Sequence, residues 1–147
     1  MNAPFPLDPR LAHDCHYLAD LTLSRLLLMN NALLPWFILV PRVEAVELDE
    51  LTAEQQQRLF EEINLISRFV RHNFAPDKLN VAAIGNIVRQ MHIHIVARRS
   101  DDICWPGVVW GVSQREAYDQ PRLDAITKAL REYLPADTTV HCAISKP

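Results

Sequence analysis

Leu59, Ile63, Ile66 and Val70 recur at helical spacing, with Glu, Gln and Arg on the opposite face. A single apolar stripe of this kind must be buried against another layer, so the segment demands a sheet or a second helix to lie on. Thr52 with Gln55 has the spacing of a capping box and opens the helix, which the pattern carries to about His72. Glu54, Glu61 and Glu62 read as its solvated face. His72 falls near the helix C-terminus, where a histidine is electrostatically favourable, and no catalytic role is assigned to it.

Short apolar runs lie on both sides of this helix. Ser24 to Met29 reads as a strand ending at Asn30-Asn31, a pair that tolerates positive φ and suits a hairpin tip. Trp36 to Val40 follows as a second strand, stopped by Pro41. Pro76-Asp77 turns the chain into a strand from Leu79 to Ile84, Gly85-Asn86 breaks it, and Val88 to Ala97 forms another. Pro121 starts a helix carrying Leu123, Ile126, Leu130 and Leu134, which Pro135 ends. Strands before and after one long helix predict an α+β fold with a mostly antiparallel sheet. With no repeat and no linker after the proline-rich opening (Pro4, Pro6, Pro9), residues 1–147 form one domain, with a helix and tail at 121–147.

A formal net charge of −3 argues against a general nucleic-acid binder, which shows a basic excess. The longest apolar runs, Leu26–Met29 and Leu33–Val40, are interrupted by Asn30, Asn31 and Pro35, far short of the roughly 18 residues of a membrane span. Met1 to Pro6 has neither the basic region nor the apolar stretch of a signal peptide, so a cytoplasmic location is expected. Cys15, Cys104 and Cys142 are odd in number and widely spaced, against a disulfide framework. His13, Cys15 and His16 stand close enough to suggest a metal site. Only His141 and Cys142 offer a second pair, so the structural reading is preferred and no metal is assigned.

The chemistry points elsewhere. All three glycines, Gly85, Gly107 and Gly111, fall around the segment Gln90-Met91-His92-Ile93-His94-Ile95-Val96. Strand alternation sends Gln90, His92 and His94 to one face and Met91, Ile93 and Ile95 to the other, where they meet the long helix. A neutral imidazole on the polar face can attack phosphorus or shuttle protons. For an isolated His-x-His, a half-exposed strand is the preferred account, since alternation alone explains the spacing, and the surrounding sequence decides.

Gly85 to Val96 resembles the signature of the histidine-triad (HIT) superfamily, His-φ-His-φ-His-φ-φ preceded by a Gly-Gln-Ser/Thr segment. Phe37-Ile38-Leu39-Val40-Pro41-Arg42 resembles the strand before that family's long helix, and Trp105-Pro106-Gly107 a Trp-Pro segment after its motif. The likeness covers about residues 20 to 111. It implies an α+β domain, commonly a homodimer, with a nucleotide or dinucleotide in a cleft on the sheet and no cofactor. It further implies that the middle histidine attacks the α-phosphorus to give a nucleotidyl-histidine that water hydrolyses. His92 takes that position, His94 the one that bonds phosphate oxygens and assists the leaving group, and Asn86 with Gly85 the phosphate-contacting segment. Read as His92-His94-Val96, the register would make His94 the nucleophile. Gln90-His92-His94 is preferred, since Ile95-Val96 then closes the motif.

The sequence departs from the pattern at four places. Gln90 stands for the first histidine, where its amide can still orient a neighbour. Trp36 fills the place of an upstream histidine of the same network. Ile87 replaces a Ser/Thr hydroxyl, and Asn31 stands near the expected ribose-binding carboxylate. Trp105 and Trp110 are candidates for stacking on a base, with core packing the rival for Trp110. Arg98 and Arg99 suit either distal phosphates or a solvated strand end. The expected activity is hydrolysis of a phosphoanhydride or phosphoramidate bond of a nucleotide. A nucleotide-binding module without turnover is the alternative, and a cupin-type His-x-His metal enzyme is disfavoured by the lack of a downstream Glu and His.

Overall fold

The computed structural model describes residues 5–147; the expectations for Met1 to Pro4 lie outside the described residues. In chain order the elements are α1 (Pro9–Asp14), β1 (Cys15–Asp20), β2 (Ser24–Met29), β3 (Trp36–Pro41), a 3-10 turn (Leu48–Glu50), α2 (Ala53–Phe74), β4 (Lys78–Ala82), β5 (Ile93–Arg98), α3 (Gln120–Tyr133) and β6 (Thr139–Val140). One sheet in the order β4-β5-β3-β2-β1-β6 pairs antiparallel throughout, which is the expected α+β architecture. No helix among the described residues is long and apolar enough to cross a membrane.

Alternation divides the sheet between two cores. Phe37 and Leu39 of β3 and Ile93, Ile95 and Ala97 of β5 join Leu59, Ile66, Phe69 and Val70 of α2 and Leu123 and Leu130 of α3. Trp36, Ile38 and Val40 of β3 and Val96 of β5 face the opposite way, meeting Leu11 of α1 and Val109. A strand covered on both faces loses its polar alternation, which is why β3 is apolar from end to end. The helix begins as the capping box requires: Thr52 Oγ1 accepts from the Gln55 amide at 3.1 Å, and Gln55 Oε1 from the Thr52 amide at 3.0 Å.

Three expectations change. The strand expected over Val88–Ala97 begins only at Ile93, and the one expected to reach Ile84 ends at Ala82, leaving a loop of residues 83–92. Gly85 explains the break, because its φ of 67° is a left-handed backbone that cannot continue a strand. Asn30-Asn31 is not a two-residue tip: six residues join β2 to β3, and neither asparagine has a positive φ. Both are buried, and their amides hold the chain that follows the Trp-Pro segment. Asn30 Oδ1 accepts from the Tyr118 amide at 3.0 Å, and Asn31 Nδ2 donates to the Gln114 carbonyl at 3.1 Å. Glu62 is not solvated but 4% exposed, its Oε1 accepting from the Leu23 amide at 2.7 Å.

Candidate active site

A cavity of about 490 Å³ opens on the α1 side of the sheet. Trp36 and Ile38 of β3, Met29 of β2 and His94 of β5 form its floor; Arg10, Leu11 and Asp14 of α1 form one wall, Ile84 to Val88 and His92 another, and Trp110 and Gly111 a third. The sheet supplies rigid support, and the irregular 83–92 loop brings backbone and small side chains against the space above it.

His92 and His94 both line this cavity, with ring centroids 4.8 Å apart in an edge-to-face arrangement. They are 7% and 5% exposed. His92 Nδ1 lies 2.7 Å from the Gln90 carbonyl oxygen. A carbonyl only accepts, so Nδ1 carries the proton and the lone pair of the neutral ring sits on Nε2. His94 has the opposite polarity. The Trp36 indole N–H donates to its Nδ1 at 2.9 Å, which leaves the proton on Nε2. Burial, then the neighbouring His92, push the His94 pKa down to about 4, so this ring is neutral at pH 7. Two adjacent imidazoles are thereby held in different tautomers: one has a basic nitrogen free, the other an N–H to donate.

Gly85 and Asn86 line the same cavity, Asn86 with its amide exposed. Ile87, 77% exposed, projects an alkyl group at the cavity edge. The other proposed contacts lie elsewhere. Gln90 sits at a bend before β5, and its side chain does not join those of His92 and His94. Its amide bonds Pro6 and Asp8 of the N-terminal segment, and neither histidine. Asn31 does not reach the cavity, because Oδ1 accepts from the amides of Leu33 and Glu116, both at 3.2 Å, while Nδ2 holds Gln114. Trp105 also stands outside; its ring stacks over the Arg98 guanidinium, 5.6 Å from its centroid. Of the two tryptophans expected to stack on a base, Trp110 is the one at the site, packed edge-on to His94 and Trp36 at 5.2 and 6.0 Å.

Arg98 is neither a phosphate ligand nor a solvated strand end. At 2% exposed it forms a bidentate pair with Asp102 at 2.8 and 3.1 Å and donates to Asn80 Oδ1 at 2.8 Å. Burial opposes ionisation of Asp102, but the Arg98 bonds prevail and bring its carboxyl down to about 2. This pair fixes the start of the loop that carries Trp110 back to the cavity. Arg99 is exposed and paired with Asp101 at 3.0 Å. His16 is buried with Nε2 3.1 Å from Asn30 Oδ1, a structural placement for one member of the His13-Cys15-His16 group.

Sequence reasoning overlooked Arg10, Leu11 and Asp14. A six-residue helix capped by Asp8, with Pro9 at its start, was legible only as Asp-Pro within a proline-rich stretch.

Among curated proteins, no sequence matches this chain. Among solved structures, a histidine triad protein of Bradyrhizobium japonicum is 42% identical with a TM-score of 0.85, the match covering 89% of this chain and 98% of that one. Another, of Marinobacter aquaeolei, is 43% identical with a TM-score of 0.84, covering 88% and 96%. A hypothetical histidine triad nucleotide-binding protein of Sulfolobus tokodaii shares the fold at 16% identity, TM-score 0.60, covering 80% and 83%. Residues 10–101 match the family described as the HIT domain. The chain therefore belongs to the histidine triad family.

Proposed function

We propose that this protein hydrolyses a phosphoanhydride bond of a nucleotide, with His92 as nucleophile. The observation that carries the reading is the orientation of His92: the Gln90 carbonyl engages Nδ1 and holds the ring from behind, which leaves Nε2 without a protein partner among the described residues, on a ring that lines a cavity large enough for a nucleoside. In the first step the Nε2 lone pair forms a bond to the α-phosphorus. The bond from phosphorus to the bridging oxygen breaks, and its electron pair leaves with the distal phosphate. The ring becomes a phosphoryl-imidazolium whose Nδ1–H bond to Gln90 strengthens as the positive charge develops. Water then attacks phosphorus and gives up its proton to solvent, the bond from Nε2 to phosphorus breaks with its electron pair returning to His92 as the neutral ring, and a nucleoside monophosphate is released. His94 keeps its proton on Nε2 and is fitted to donate to a phosphate oxygen throughout. Asn86 and the backbone at Gly85 are proposed as further phosphate contacts.

Ile87 is what favours an anhydride over a phosphoramidate. An amine leaves easily only when protonated, and an alkyl side chain at the cavity edge brings no proton; a phosphate departs as a stable anion without one. Binding without turnover is the second reading, favoured by that same missing hydroxyl. A hydrolysis screen across dinucleoside polyphosphates and nucleoside phosphoramidates, with His92→Ala as control, tests the proposal. The expected result is turnover of the polyphosphates, lost in the variant. Tight binding with no His92-dependent turnover of either class supports the second reading instead.

The protein is further proposed to act as a homodimer. β4 is an edge strand with one side unpaired and Val81 exposed upon it, which a second copy can extend and cover. Light scattering at tens of micromolar, a concentration that reveals even transient pairs, should give twice the chain mass. Monomer alone contradicts it.

A further inference from the structure

Gln90 joins two parts of the molecule that are remote in sequence. Its carbonyl orients the His92 ring, while its side chain reaches the N-terminal segment: Oε1 accepts from the Asp8 amide and Nε2 donates to the Pro6 carbonyl, both at 2.8 Å. Phe5 and Leu7, on either side of Pro6, pack against the core that contains Trp36 and Ile38. Asp8 then caps α1, its Oδ1 accepting from the Arg10 amide at 2.8 Å. At the other end of the helix the Asp14 carbonyl accepts from the Asn30 amide at 2.9 Å. A helix this short has little stability of its own, so these two anchors decide where it sits. They set it against the cavity, where Arg10 and Asp14 are the wall's only side chains, among the described residues, with a permanent charge at neutral pH.

Asn31, which stands near the position of the expected ribose-binding group, has its amide committed to Gln114, Leu33 and Glu116. Asp14 is the anionic acceptor that lines the cavity; its Oδ1 lies 3.0 Å from His13 Nδ1, which leaves Oδ2 for paired sugar hydroxyls, donors suited to a carboxylate.

Resting on the nucleotide reading above, we propose that residues 6–14 are a docked wall of the nucleotide cavity. Asp14 accepts from the ribose hydroxyls, and Gln90 is the positioning residue that clamps the wall in place. The amide at position 90 thus serves ligand affinity, whereas its carbonyl, which any residue there would supply, serves the nucleophile.

The test uses the full chain, with two independent readouts. The first is the rate of trypsin cleavage after Arg10, with cleavage within α2 as the measure of global folding. In Gln90→Ala, cleavage after Arg10 should accelerate about tenfold, the equivalent of one ordinary pair of hydrogen bonds, with α2 cleavage unchanged. Asp8→Pro, which removes the bonded amide, should do the same, and more than Asp8→Ala, which removes only the cap. The second readout is affinity for AMP and for 2′,3′-dideoxy-AMP. Gln90→Ala should weaken both about tenfold by the same arithmetic. Asp14→Asn should leave trypsin cleavage alone and weaken AMP but not the dideoxy analogue. Unchanged cleavage in both Gln90→Ala and Asp8→Pro overturns the clamp. Equal weakening of the two ligands by Asp14→Asn overturns the ribose contact. Were the unmutated protein to bind no AMP, the nucleotide reading itself would fail, and the ribose contact with it. The cleavage rates would still decide the clamp.

Discussion

Trp36 on β3 donates its indole N–H to Nδ1 of His94 on the neighbouring β5, at 2.9 Å. The two are diagonal neighbours, since the register pairs Trp36 with Val96 and Ile38 with His94. Their side chains therefore share a face and converge on the cavity floor. An indole can only donate, so His94 is restricted to one tautomer, which a histidine at position 36 would not enforce. Trp36→Phe should leave a buried ring nitrogen unpaired and cost about 1–3 kcal/mol of stability. Urea unfolding at pH 7.5 measures it.

The depressed pKa of His94 makes stability fall in acid. Its folded value of about 4 lies below the ordinary 6.5, so its contribution is complete above pH 6.5 and is lost as pH falls through 4. The loss should approach about 3 kcal/mol for a shift of this size. His94→Gln, with nothing to titrate, should show a flatter stability curve between those pH values; an unchanged slope contradicts the assignment.

Arg98 and Asp102 should behave as a pair that cannot be halved. Asp102→Ala leaves a buried guanidinium with its main partner gone, and should destabilise by about 3–5 kcal/mol. Replacing both residues with apolar ones should cost much less than Asp102→Ala alone. Thermal unfolding of the single and double variants tests this.

Glu62 should be a liability at neutral pH. Burial pushes its carboxyl up, against the opposing bond from the Leu23 amide, and neither Oε2 nor the Ser24 hydroxyl has a hydrogen-bond partner among the described residues. For a carboxyl raised in the folded state, stability is complete below the unfolded pKa and declines as pH rises through the folded one. Glu62→Gln keeps the acceptor for Leu23 and adds a donor towards Ser24. It should gain about 1 kcal/mol at pH 8, the gain vanishing below pH 4, as denaturant titrations at the two pH values will read.

Patterns that repeat along the chain were legible in the sequence. The α2 stripe, its capping box, β2, β3 and α3 all follow from local spacing, because burial on one face leaves a periodic record. Met91, Ile93 and Ile95 were placed against α2 by alternation, and the structure buries them there. Alternation ended where the backbone left the strand, and so Gln90 was assigned to the histidine face although the bend before β5 turns its side chain away. Side chains that act across long sequence separations left no such record. Asn31 holding Gln114, Arg98 holding Asn80 and Gln90 holding Pro6 are each single contacts between segments with no shared period. The α1 wall escaped for the same reason: six residues are too few to show a stripe.

Trapping the covalent intermediate identifies the nucleophile. The protein is quenched in base within milliseconds of mixing with a dinucleoside polyphosphate, digested, and the nucleotidyl group mapped by mass spectrometry. An adduct is expected on His92 in the unmutated protein and none in His92→Ala. In His94→Ala the same adduct should form more slowly, by the factor of about 100 to 10,000 usual for loss of one catalytic group. An adduct mapped to His94 in the unmutated protein would contradict the account.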